Sequence, residues 1–186
     1  MVRAQVSVLV VALGLTVPVI ARAELPAPAA SRDAATPLPK NLVLADLGLH
    51  VVGLGYQRTL SPWLAGQIDV DSYTPWTATD GFFDVRGIVL RARAVFYPWQ
   101  AAPTGVWLSP FEQCGPASGD RGKVNDSGFA CAVGASAGYS VLVARVLHVS
   151  LGVGAQYHVV HLSGGASAPA FRGFHQQLDA SVGYAF

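Results

Sequence analysis

Residues 147–160 read LHVSLGVGAQYHVV, and the order of their side chains alternates without a break. Leu147, Val149, Leu151, Val153, Ala155, Tyr157 and Val159 project to one side, and His148, Ser150, Gly152, Gly154, Gln156 and His158 to the other. A period of two is the signature of a strand. In a soluble sandwich the apolar face turns inward and a charged face meets water, yet no charge stands on the second face. The pattern therefore predicts the reverse: apolar side chains outward against hydrocarbon, small and polar ones inside a closed barrel. Residues 129–141 repeat it, with Phe129, Cys131, Val133, Ala135, Ala137, Tyr139 and Val141 opposing Ala130, Ala132, Gly134, Ser136, Gly138 and Ser140. The C-terminal residues do too: Leu178, Ala180, Val182, Tyr184 and Phe186 oppose Gln177, Asp179, Ser181, Gly183 and Ala185.

Composition points the same way. Of the 186 residues, 52% are hydrophobic and 12% charged, where a soluble domain carries about a quarter charged. Beyond the N-terminus no apolar run approaches the roughly 20 residues a helix needs to cross a bilayer. The remaining way for such a chain to live in lipid is a closed sheet in which every N–H and C=O is paired. Twenty glycines against one methionine suit a narrow barrel interior. A net charge of +1 argues against a nucleic-acid partner.

Three segments are predicted. Residues 1–23 read as a signal peptide for the Sec pathway: Arg3 precedes an apolar stretch from Val6 to Ile20, and Ala21-Arg22-Ala23 matches the small-x-small cleavage pattern. Residues 24–40 hold four prolines and read as a disordered linker. Residues 41–186 form the barrel, all-β and eight-stranded, antiparallel, up-and-down and transmembrane. Its strands are placed at 42–50, 52–61, 64–74, 82–97, 104–113, 128–143, 147–161 and 175–186. Turns at 61–62, 98–103 and 144–146 are short, while those at 74–81, 114–127 and 164–173 are longer, as inner turns and outer loops of such barrels are. The tight connection near His50 leaves open whether residues 42–60 are two strands or one. Aromatic residues at strand ends (Tyr56, Trp63, Tyr73, Trp76, Phe96, Tyr97, Trp99, Trp107, Tyr139, Tyr157, Tyr184, Phe186) suit membrane–water interfaces.

Several groups carry possible chemistry. Asp69 and Asp71 alternate with Ile68 and Val70, and Arg91 and Arg93 with Leu90 and Ala92, so all four point inward and are predicted to pair across strands. They line a small-solute pore or plug the interior, and eight strands favour the plug. Cys114 and Cys131 flank the longest predicted loop and are expected to form a disulfide in the oxidising periplasm. His158 and His175 are expected to face each other from inside near the outer rim, with Gln156 and Gln177 beneath them. Since no Asp, Glu or Cys completes a ligand set there, the cluster reads as structural, without metal or cofactor.

His161-Leu162-Ser163 places an imidazole and a hydroxyl on one side of a strand. The arrangement resembles the His-x-Ser motif of outer-membrane lipid A 3-O-deacylases, which implies Ser163 as nucleophile and His161 as base. The chain departs from that family where an orienting Glu belongs, about a dozen residues after the Ser: no carboxylate lies between Ser163 and Asp179. The C-terminal Phe186, with Tyr184 and further apolar residues at alternate positions, resembles the signal read by the barrel assembly machinery. Over residues 41–186 the chain resembles a family of small bacterial outer-membrane β-barrels of unassigned function. The likeness rests on NLVLADLGLHVVGLGYQRTLSPWLAGQIDV, GIVLRARAVFYPWQAAPTGVWLSPF and FACAVGASAGYSVLVARVLHVSLGVGAQY. It implies the fold and the Gram-negative outer membrane, with its lipids as surroundings, and carries no catalytic residues to transfer; the chain is read as non-enzymatic, with a role in envelope structure or surface interaction.

Overall fold

A computed structural model describes residues 38–74, 85–121, 124–163 and 171–186; within these, the side chains of 120, 121, 124, 125, 163, 171 and 172 are left undescribed. The proposed signal peptide, nearly all of the proposed linker and most of the loops at 74–81 and 164–173, Trp76 included, lie outside the described residues.

Eight antiparallel strands close into one barrel: β1 Asn41–Gly48, β2 Val51–Ser61, β3 Leu64–Tyr73, β4 Arg86–Phe96, β5 Gly105–Arg121, β6 Val124–Val143, β7 Leu147–Ser163 and β8 Phe171–Ala185. Each strand pairs with its sequence neighbours, and β1 pairs with β8 to seal the ring. The first connection therefore joins two strands. Following the register from Tyr184 through Val43, Tyr56, Ile68, Ala92, Glu112, Val133 and Tyr157 returns to β8 at Phe174, ten residues from the start. A stagger of ten residues over eight strands tilts them about 40° from the barrel axis.

The largest correction concerns residues 114–127, read from sequence as a loop. They continue the β5–β6 hairpin in unbroken register out to Arg121 and Val124. Gly115-Pro116 and Gly119 are turn formers by composition. In the sheet Pro116 stands opposite Phe129 of β6, and its missing N–H falls on the β4 side. There the β4–β5 ladder is interrupted, as it is again near Pro110. The β6–β7 turn holds Ala144 and Arg145 at φ 49° and 62°, with the Val146 N–H donating to the Val143 carbonyl at 3.1 Å. Both central residues are thus left-handed, as a tight hairpin matching the sheet twist requires.

Outward faces are apolar, and aromatic rings bound them at two levels. Exposed Tyr139 and Phe129 lie ten residues apart on β6, as do Tyr184 and Phe174 on β8. Along tilted strands that separation rises about 25 Å, the height of a lipid-facing band. Tyr56, Trp63, Phe96, Trp99 and Phe186 join the level near the chain termini. Three of the predicted interface aromatics are not on the surface: Tyr73, Tyr97 and Trp107 are 1%, 2% and 3% exposed and point inward. The Trp107 indole lies against Gly138 and Gly152, register partners whose lack of a Cβ makes its room. Its N–H donates to Ser150 Oγ at 2.9 Å.

Candidate functional site

The interior is layered. Nearest the termini, Leu42, Leu44 and Ala185 pack together, beside a second group of Ala65, Val95, Tyr97, Ala102 and Trp107. Above them lies a cavity of about 20 Å³ lined partly by Asp46, Arg93, Trp107, His148 and Asp179, room for one water. The outer third is again apolar around Val51, Val85, Val89 and Val160, with Tyr73 and the histidines among them.

The middle holds the charges. Arg91 is 0% exposed and pairs with Asp46, with Asp69 at 3.2 Å, with Asp71 at 3.4 Å and with Asp179 at 3.7 Å. Arg93 pairs with Asp179 at 3.2 Å, donates to Ser109 and Ser136, and lies over the rings of Trp107 and Phe111. Amide groups tie down the acids: Gln67 Nε2 donates to Asp69 and Gln177 Nε2 to Asp179, each at 2.7 Å. Gly53 and Gly55 oppose Asp71 and Asp69, and a Cβ at either would overlap the carboxylate beside it. Two side chains are absent so that two acids fit.

Among the described residues these ion pairs join four carboxylates to two guanidiniums. Oxygens of Asp46, Asp69 and Asp71 lie within 4.8 Å of one another. The Arg91 guanidinium is the cation they share, so the cluster is an internal ion network that fills the barrel's waist.

Sequence reasoning placed Asp69, Asp71, Arg91 and Arg93 inside and left Asp46 out. The reason is local: β1 is NLVLADLG, apolar on both faces, so alternation does not reveal which side Asp46 takes.

Toward the outer end, His158 and His175 have ring centroids 5.1 Å apart, with Gln156 and Gln177 inside the wall below. In register Gln156, not His158, opposes His175. His50, from the β1–β2 turn, lies 5.3 Å from His158 and 6.0 Å from His175, and is 1% exposed. No sequence signal marked it, because a turn residue has no periodicity to read. Cys114 and Cys131 are register partners in the β5–β6 ladder, Cα atoms 4.2 Å apart, and are disulfide-bonded. They staple adjacent strands on the outer surface and do not close a free loop.

His161 is exposed on the outward face of β7 opposite Phe129. Among the described residues no carboxylate projects from the outward faces of β6, β7 or β8, while the side chain of Ser163 lies outside the description. Glu112 is exposed on the outward face of β5 opposite Val133, which stands six residues from Tyr139 and four from Phe129. A carboxylate thus sits near mid-height of the apolar band.

No protein-family model and no curated protein matches the sequence. Solved structures do match its shape. The chain is similar to neisserial surface protein A, with 16% identity and a TM-score of 0.51 over 79% of this chain and 95% of that one. The N-terminal β-barrel domain of Pseudomonas aeruginosa OprF aligns with 10% identity and a TM-score of 0.49, over 79% and 96%. At such identities the likeness is one of fold: this chain is a small closed antiparallel β-barrel of the kind found in a bacterial surface protein.

Proposed function

We propose that the chain is a non-enzymatic protein of the bacterial outer membrane, a plugged barrel serving envelope structure or surface interaction through its outer end and lipid-facing belt. One observation carries this reading: the apolar outward surface is bounded by aromatic rings about 25 Å apart, while Asp and Arg turn into the waist. The inverted pattern is stable only where hydrocarbon replaces water outside. Export through the Sec pathway and recognition of Tyr184 and Phe186 by the assembly machinery belong to the same proposal. A pore is disfavoured by the buried ion network, and lipid A hydrolysis by the absence, among the described residues, of a carboxylate on the outward faces of β6, β7 and β8 around His161.

The test is expression of the full chain in a Gram-negative host. The protein is expected in the outer-membrane fraction, with electrophoretic mobility that changes on heating. Planar bilayers carrying it are expected to show no stepwise conductance, and lipid A mass spectra to be the same with and without it. A mature chain that is monomeric in the periplasm without detergent defeats the proposal.

A further inference from the structure

Three imidazoles from distant parts of the chain meet beneath the outer mouth: His50 from the β1–β2 turn, His158 from β7 and His175 from β8. Their ring centroids are 5.1, 5.3 and 6.0 Å apart. Imidazoles bound to one tetrahedral ion, each nitrogen about 2.1 Å from it, hold their centroids roughly 5 to 5.5 Å apart. The rings now stand edge to face, at interplanar angles of 76°, 84° and 86°. Their nitrogens do not converge on one point in these rotamers; with His158 held by Tyr73, binding requires His50 and His175 to rotate about χ2, a broad torsion in histidine.

Three independent features favour a ligand there. His50 is 1% exposed and its ring bonds the backbone of Gln176; a bond of that kind to one ring nitrogen holds a metal-binding histidine in place and leaves the other nitrogen to ligate. The Tyr73 hydroxyl shares a 2.9 Å hydrogen bond with His158 Nδ1. Such a bond fixes a metal-binding histidine, because Nδ1–H can donate to the phenol oxygen while Nε2 ligates. Finally, a groove of about 230 Å³ lined by Leu49, Phe174, His175 and Gln176 opens beside the cluster. It lies where the wall is low, since β1 and β2 run 8 and 11 residues while β5, β6 and β7 run 17 to 20.

We propose that His50, His158 and His175 bind one divalent transition-metal ion of borderline softness, represented by Zn²⁺, with a fourth coordination position facing the groove. Three neutral nitrogen donors without a carboxylate select this class over Ca²⁺ or Mg²⁺, which require oxygen ligands. The three residues span β7, β8 and the turn after β1, so the ion bridges the seam at which the first and last strands close the ring. Metal bound to the closed barrel alone stabilises that closure.

The folded full-length barrel in detergent, stripped with a chelator, is titrated with ZnCl₂ by calorimetry and then heated in parallel with and without the metal. One ion per chain is expected, with a higher unfolding temperature when loaded. His50→Asn and His175→Asn are each expected to weaken binding about 100-fold and to remove the thermal shift, whereas His161→Asn, on the outer surface, leaves both intact. Heat-modifiable mobility verifies that each variant is folded. Should His50→Asn fail to fold, His175→Asn at the half-buried rim decides alone. The proposal falls if the folded wild type shows no saturable uptake, if a folded His175→Asn binds as tightly as wild type, or if His161→Asn abolishes uptake.

Discussion

Arg91→Met is the most revealing single substitution, because the side chain is replaced by one that still fills space while its charge disappears. Among the described residues, the ion network of the waist then holds four carboxylates against the guanidinium of Arg93. Asp46 and Asp69, 1% and 0% exposed, lose the guanidinium with which each forms its ion pair among the described residues. Removing one side of a buried ion pair costs about 3–5 kcal/mol, and a charge shared this widely belongs at the upper end. Asp71→Asn is the contrasting case. Neither oxygen of Asp71 accepts a hydrogen bond, and its contact with Arg91 is 3.4 Å. Since acids outnumber cations, loss of this one is expected to cost less than about 1 kcal/mol. Combining Arg91→Met with Asp46→Asn and Asp71→Asn is expected to recover most of the loss, because the orphaned charges leave with their partner. Urea unfolding of the barrel in lipid vesicles, followed by tryptophan emission and heat-modifiable mobility, measures all three. Equal effects of Arg91→Met and Asp71→Asn, or a triple variant no better than Arg91→Met, refute the network as the organiser of the waist.

Other perturbations test other parts of the molecule. Val153, 66% exposed on β7, is expected to cost about 2–4 kcal/mol as Lys in vesicles, and a neutral result argues that this face does not meet hydrocarbon. Glu112→Leu acts in the opposite direction: replacing the outward carboxylate near mid-height leaves stability in vesicles unchanged or raises it, which the same urea series reads. Removing the disulfide with paired Cys114→Ala and Cys131→Ala costs at most about 3 kcal/mol for cysteines 17 residues apart. The register around it is already held by the β5–β6 ladder, so heat-modifiable mobility is expected to persist. Ala144→Gly relieves a left-handed Ala at φ 49° and is expected to stabilise by about 1 kcal/mol, seen as a higher urea midpoint.

Alternation alone determined that this chain is a barrel with its apolar side outward. The period is carried by each residue and its second neighbour, and β6, β7 and β8 keep it over long unbroken runs. It also placed Asp69, Asp71, Arg91 and Arg93 inside, because they alternate with the apolar Ile68, Val70, Leu90 and Ala92 of opposite parity. The pairing of Cys114 with Cys131 was legible for a different reason: two cysteines admit one intramolecular partner choice. Local composition failed where neighbouring strands override it, as in Gly115-Pro116, whose turn-forming tendency is outweighed by the register with β6. It failed as well for Tyr73, Tyr97 and Trp107, since an aromatic near a strand end fits the interface and the interior equally well by pattern. Only closure of β1 against β8 decided the rest. Arg91 meets Asp46 and Asp179, and His50 meets His158 and His175, because a ten-residue stagger around eight strands brings together residues up to 125 positions apart, a distance no local pattern spans.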